Sequence, residues 1–168
     1  MYSRILVPLD GSKTAEKALP YVRALASKFK LPVELLVVID ITELAMRISP
    51  ENARYLTTLI EKNIGNSEQY LKGVAGTFHD VSVKCTVDKG GVADVIIQRA
   101  AANKGTLINM ATHGRSGIDR WLLGSIAEKV LRGATNPLLL IRATQAAKTE
   151  GEANLRSVIV PLDGFGVG

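Results

Sequence analysis

Thr106-Leu107-Ile108-Asn109-Met110-Ala111-Thr112 is an apolar run that closes on His113-Gly114 and, after nine further residues, on Gly124-Ser125. The run predicts a buried strand, and the glycines and serine beyond it predict a phosphate cradle at its carboxyl end, where open parallel sheets bind ligands. Ser125-Ile126-Ala127-Glu128 matches a capping box. In that motif Ser125 caps the backbone N–H of Glu128, and the Glu128 carboxylate reaches back to the serine's own N–H. A helix is therefore expected to begin at Gly124-Ser125. Its first amides are unpaired and carry partial positive charge, so an anion can rest there, and Gly124 lets a polyphosphate approach the backbone without a Cβ in the way.

The rest of the chain repeats the same alternation of strand and helix. Arg4-Ile5-Leu6-Val7-Pro8-Leu9-Asp10 is an apolar strand that finishes in Asp10-Gly11-Ser12, and Ala15, Ala18, Leu19, Val22, Leu25, Ala26 and Phe29 form one helical face after it. Pro32 to Asp40 is a second apolar run. Ile41 to Ser49 reads as a connection of the kind that makes a flexible lid or a partner surface. Ser49-Pro50-Glu51 then predicts a helix start as N-cap, N1 and N2. Ala53, Leu56, Ile60, Ile64, Leu71 and Val74 keep helical phase roughly to Phe78, with Gly65 a position of weakness. Val81 to Val87 predicts the third strand. Gly90-Gly91 turns the chain into a helix from Val92 to Ala102, closed by Asn103-Lys104-Gly105. The cradle helix is expected to end near Gly133, and Asn136-Pro137 leads into a last strand, Leu138 to Arg142. Such alternation is the signature of a parallel sheet covered on both faces.

The spacing Ala111-x-x-Gly114-x9-Gly124-Ser125, with Val7-Pro8-Leu9-Asp10-Gly11-Ser12 at the start and Glu128-Lys129-Val130-Leu131 after the cradle, resembles the universal stress proteins. The similarity runs over roughly residues 2 to 142, a whole domain of that family, and the glycine and serine spacing is that of its ATP-binding branch. The resemblance implies a Rossmann-like three-layer α/β/α sandwich with a five-stranded parallel sheet in the order 3-2-1-4-5. It further implies that Pro8 and Asp10 flank adenine and ribose, that Val38 and Met110 line the base pocket, and that Gly114, Gly124, Ser125 and Ile126 hold phosphates. The family's usual first glycine is Ala111 here, and its methyl crowds the ribose and α-phosphate approach. ATP, alone or with Mg2+, is the expected cofactor, and the last strand is expected to pair across a homodimer.

Composition narrows the alternatives. The 168 residues suit one domain with a real core, and 46% hydrophobic against 5% aromatic residues point to a core of Val, Leu, Ile and Ala, as buried parallel strands prefer. No apolar run approaches the ~18 residues of a membrane helix. Met1-Tyr2-Ser3-Arg4 enters a strand directly, without the order of segments that makes a signal peptide, so a cytoplasmic location and no membrane partner are expected. The net charge of +5 is spread over helices and loops, with no block of like charge and no aromatic interleaving, which argues against nucleic acid. Cys85 is the single cysteine and reads as an inert strand residue.

Several residues keep two readings. Asp10 at a strand's carboxyl end either binds a ribose hydroxyl or caps the next turn. His113 either donates to a phosphate or is merely a polar loop residue. Arg115, and less directly Arg120, can neutralise phosphate charge. Trp121 reads as packing and His79 as a solvated loop residue. No P-loop lysine, zinc-type Cys/His spacing or nucleophile elbow is present, so no catalytic residue and no metal ligand is named. Three functions remain open: an ATP-binding stress or signalling protein, a homodimeric interaction module without nucleotide, and a weak magnesium-dependent ATP hydrolase.

The chain's end repeats its beginning. Leu155-Arg156-Ser157-Val158-Ile159-Val160-Pro161-Leu162-Asp163-Gly164 follows the pattern of Ser3 to Gly11. The expected division is a domain over 1–143, a polar linker over 144–154, and the first strand of an incomplete second repeat over 155–168. Such an apolar strand can add to a sheet edge. Gly164-Phe165-Gly166-Val167-Gly168 resembles a dinucleotide glycine loop only superficially, since no helix sequence comes after it.

Overall fold

Five parallel strands form one sheet in the order β3-β2-β1-β4-β5, the order the resemblance implied. The computed structural model describes residues 2–46, 54–112, 123–142 and 150–155. The elements run β1 (Arg4–Leu9), α1 (Lys13–Glu16), α2 (Leu19–Phe29), β2 (Val33–Ile39), α3 (Ile41–Met46), α4 (Leu56–Ala75), β3 (Val83–Lys89), α5 (Val92–Ala101), β4 (Thr106–Ala111), α6 (Ser125–Gly133) and β5 (Leu138–Ile141). Because successive side chains of a strand point to opposite faces, β1 feeds two cores. Ile5, Val7 and Leu9 pack with Leu19, Val22 and Ala26 of α2 and Leu71 and Val74 of α4. Leu6 on the other face packs with Leu36, Ile96, Ile108, Ala127 and Val130, which belong to β2, α5, β4 and α6. The layers are thus helix, sheet, helix. All six residues of β4 are buried, as the run at 106–112 required.

Four expectations need correction. The N-terminal helix is two helices, because Pro20 at the start of α2 has no N–H to offer and its ring excludes a carbonyl one turn back, so the helix cannot run through from α1. On its face Phe29 is 59% exposed, having reached the end of the helix beyond the sheet. The expected connection at 41–49 contains α3, which starts because Asp40 Oδ1 accepts from the Glu43 amide at 3.0 Å, an N-cap hidden in what reads as the end of a strand. The third strand begins at Val83 rather than Val81, since β2 supplies partners only from Val33↔Val83 to Ile39↔Lys89. The shift is even, so the side chains keep their faces.

α4 passes through Gly65 without interruption and ends at Ala75, with Phe78 buried just beyond it. The expected helix start at Ser49-Pro50-Glu51, and Ala53, lie outside the described residues. Cys85 is exposed on the edge strand β3, and partial burial pushes its thiol upward against the lowering effect of Lys72, the opposite of what activates a cysteine. His79 is exposed in the loop before β3.

A buried ion network locks α5 onto the sheet. Glu34 of β2 is 3% exposed and accepts from Arg4 Nη1 at 2.5 Å, Arg99 Nη1 at 2.7 Å and Thr86 Oγ1 at 2.9 Å. Arg4 also donates to Thr106 Oγ1 at 2.8 Å and to the Arg99 carbonyl, so β1, β2, β4 and α5 meet at one carboxylate. Arg99 reaches on to Asp88 Oδ2 at 2.8 Å, and this hydrogen bond, helped by the Lys89 amide, holds the Asp88 carboxyl below its ordinary range. Removing Glu34 takes away the carboxylate that Arg4 and Arg99 share, although their side chains are 22% and 26% exposed and keep other partners. Glu34→Ala is therefore expected to lose about 2 kcal/mol in a urea titration. Asp88 has a depressed folded pKa, so what it contributes is present above the ordinary carboxylate value and disappears as pH falls through the depressed one. Being partly exposed, Asp88→Asn is expected to lose only ~0.5–1 kcal/mol at neutral pH, with the gap to the parent protein closing below about pH 4.

Candidate functional site

The carboxyl ends of β1 and β4 and the start of α6 enclose one cleft of ≈ 200 Å³. Of the residues singled out in the sequence, Pro8, Asp10, Met110, Ala111, Gly124, Ser125 and Ile126 all line it. Order 3-2-1-4-5 makes this meeting unavoidable: the crossover direction reverses between β1 and β4, and the two connections leave a crevice there. Val38 is the exception. It is half-buried on β2 and packs against the cluster that holds Met110, but it does not line the cleft. His113, Gly114, Arg115, Arg120 and Trp121 lie outside the described residues.

The start of α6 differs from the capping box the sequence predicts. Gly124, with φ −63° and ψ 149°, is the N-cap, and no side chain caps the helix. Ser125 is already the first helical residue. Glu128 turns away from it to Arg132, one turn on, at 2.9 Å and 3.1 Å, because an i,i+4 cation competes well for an exposed carboxylate. The Glu128 amide bonds the Gly124 carbonyl at 2.8 Å, which is the first intrahelical bond. The amides of Ser125, Ile126 and Ala127 therefore have no intrahelical acceptor, and no serine or glutamate side chain covers them. The correction makes the end of the helix a better anion site than the sequence reading had it.

Two backbone bonds fix this helix end to the sheet. The Gly124 amide donates to the Thr112 carbonyl at 2.8 Å, and the Thr112 amide donates to Ile141 of the β5 strand at 2.9 Å.

On the opposite wall, Asp10 takes the capping alternative. Its Oδ1 accepts from the Ser12 amide at 3.0 Å and the Ser12 hydroxyl at 2.6 Å, and Ser12 Oγ in turn accepts from the Ala15 amide at 3.1 Å as the N-cap of α1. Gly11 between them has φ +78°, a conformation that glycine adopts without the penalty other residues incur. The result is a short helix held against the cleft, with Ala15 in its wall. Ala111 is 6% exposed and its methyl is part of the same wall.

Ala15, Val92, Ile96 and Ala127 also line the cleft and were not foreseen as site residues. Ala15 reads as a helix-face residue, Val92 as a helix start and Ala127 as part of the capping box, and the signal available was that α1, α5 and α6 start beside the strand tips. Among the described residues no group of three His, Cys, Asp or Glu side chains is placed to hold a metal ion, and no helix is long and apolar enough to cross a membrane.

The family model for the universal stress protein family matches residues 1–142. The chain is 30% identical over 144 residues to the universal stress protein MJ0531 of Methanocaldococcus jannaschii, covering 84% of this chain and 83% of that protein. Among solved structures it is similar to the protein MJ0577 of the same organism, with a TM-score of 0.76, 28% identity, and 87% and 99% of the two chains covered. It shares its fold with a universal stress protein family protein of Arabidopsis thaliana solved with AMP bound, at a TM-score of 0.56 and 16% identity over 85% of this chain and 93% of that one.

Because Gly124 rather than Ser125 starts α6, Ser125→Ala is expected to change the stability of the ligand-free protein by less than about 0.5 kcal/mol, where loss of a true serine cap costs ~1. Thermal and urea unfolding of the two proteins measure the difference.

Proposed function

Because this chain belongs to the universal stress protein family, we propose that it binds an adenine nucleotide, ATP in the first instance, and works in stress response or signalling through nucleotide-linked association. The observation that carries this reading is the coincidence of three helix amides, uncapped among the described residues, with the tips of β1 and β4 in one cleft. The apolar wall of Met110, Ile96 and Val92 suits a planar base, and Pro8 and Asp10 sit where base and ribose would join. Asp10 Oδ1 serves Ser12, so a ribose hydroxyl would share this carboxylate with the turn rather than have it alone. The phosphates would lie on the amides of Ser125, Ile126 and Ala127, with Gly124 giving close approach and the Ser125 hydroxyl adding a donor. His113, Gly114 and Arg115 are the proposed remaining phosphate contacts, and Val38 the rim of the base pocket. The AMP-bound relative supports an adenine nucleotide as the ligand class. Magnesium, where it accompanies ATP, would be held by the phosphates themselves.

One observation favours a second reading, a homodimeric interaction module without nucleotide. Among the described residues β5 bonds to β4 alone, which leaves its outer backbone edge unpaired, and Leu138, Leu139 and Leu140 along this strand are only partly buried. An apolar edge of this kind pairs readily with a second copy. The two readings separate on whether the purified protein carries ATP, and a weak hydrolase separates from both by turnover with and without magnesium. The proposed division into a domain over 1–143, a linker over 144–154 and the first strand of a second repeat over 155–168 rests on the repeated sequence.

Gly124→Val is the informative variant. Valine adopts the dihedrals of Gly124 without backbone strain and sets a branched side chain next to the amides. Mg-ATP at about a hundred times its Kd is expected to stabilise the parent protein by ~2.7 kcal/mol, read as a rise in Tm, and the variant much less. An equal rise in the variant puts the phosphates elsewhere, and no rise in the parent ends the nucleotide reading.

A further inference from the structure

α1 has two sides. Ala15 faces the cleft, whereas Glu16 faces a separate groove of ≈ 570 Å³ between α1–α2 and α4. Glu16 is 7% exposed, an unusual position for a carboxylate, and its ion-pair partner Lys13 Nζ, at 2.8 Å, belongs to a side chain that is 84% exposed. A solvated lysine on a flexible stem offsets little of the cost of a buried charge. Beside Glu16, the Tyr70 hydroxyl is shut off from solvent and makes no hydrogen bond of good geometry. Burial first, and then the Glu16 carboxylate, push its ionisation well above the ordinary phenol value, so it remains an O–H.

Gly73 is the second observation. It lies inside α4 and lines the groove, and a Cβ built on it meets nothing within 4 Å. A glycine in a helix interior costs ~1 kcal/mol relative to alanine. No close packing demands it here. What the missing side chain does is keep the groove open next to Tyr70 on α4 and across from Glu16 on α1.

The lining chooses between a cation and an anion. Both positive side chains of the groove are engaged: Lys13 with Glu16, and Arg23 with the Gly151 carbonyl at 2.6 Å and Thr77 Oγ1 at 3.0 Å. The remaining polar lining is Glu150, Asn66, Gln69, Thr77 and Tyr70, in which Glu150 is the charged group. We propose that this groove is a second ligand site, taking a small organic amine whose ammonium displaces the exposed Lys13 from Glu16 and lies beside the Tyr70 oxygen. The proposal does not depend on nucleotide binding. Its site shares only α1 with the cleft, on the helix's other side.

Titration of the ¹⁵N-labelled full chain with 1,4-diaminobutane tests it, with 1,4-butanediol and matched sodium chloride as controls. The diamine is expected to give saturable amide shifts at Glu16, Gln69, Tyr70 and Gly73 with a Kd of about 1 mM or tighter, and the diol and salt none. Gly73→Leu, which fills the groove, and Glu16→Gln, which removes the charge and keeps the shape, are each expected to weaken binding at least ~10-fold. Absence of saturable shifts, equal shifts with the diol, or unchanged binding in Gly73→Leu overturns the proposal. Gly73→Leu has open space for its side chain and a better helix former in its backbone, so it keeps the test decisive even where Glu16→Gln fails to fold.

Discussion

An extended glycine, tied by its amide to the Thr112 carbonyl at 2.8 Å, sets the position of α6, and the site depends on that bond. It brings the first turn of α6 beside the end of β4 and leaves three amides without an intrahelical acceptor and, among the described residues, without a side-chain cap. A serine cap would have consumed one of those donors. A glycine cap forgoes part of the stability that serine gives a helix and leaves the donors for something else. Helix ends left open inside a crevice are what anion sites are made of.

The sheet order does the rest. β1 and β4 are neighbours whose connections depart to opposite faces, so Asp10 and Ala111 come together although a hundred residues separate them. The Asp10–Ser12–Ala15 chain of hydrogen bonds then fixes α1 against one wall. At the other end of the strands the Glu34 network joins β1, β2, β4 and α5 through charge, in addition to their apolar contact. A buried carboxylate between two arginines tolerates little displacement, which keeps the strand tips in register for the cleft.

Much of this was legible in the sequence, and for a physical reason. Strands that are buried on both faces must be apolar throughout, so β1, β2 and β4 stand out as runs, and the segments between them show helical periodicity. The seven foreseen cleft residues that the structure brings together all sit at strand tips or at the start of α6, where motif spacing is informative. Helix ends were less legible. Ser125 and Glu128 have the capping spacing, but the choice between Gly124 and Ser125 as cap depends on the Thr112 carbonyl, a tertiary contact that no local pattern encodes. Asp40 was read as the end of a strand because its capping of α3 is equally invisible. Ala15 looked like an ordinary helix-face residue, since a helix face that packs on a sheet and one that walls a cleft have the same sequence. Glu16, on the helical side opposite Ala15, gave no signal of its burial because its neighbours come from α4.

The central claim is that phosphates rest on the bare amides of Ser125, Ile126 and Ala127. The most direct measurement is the ¹⁵N–¹H spectrum of the protein titrated with Mg-ATP. The account predicts saturable shifts at those three amides and at Gly124, larger for ATP than for adenosine. Saturable ATP binding that leaves the four amides unmoved, or no saturable binding at millimolar ligand, contradicts it.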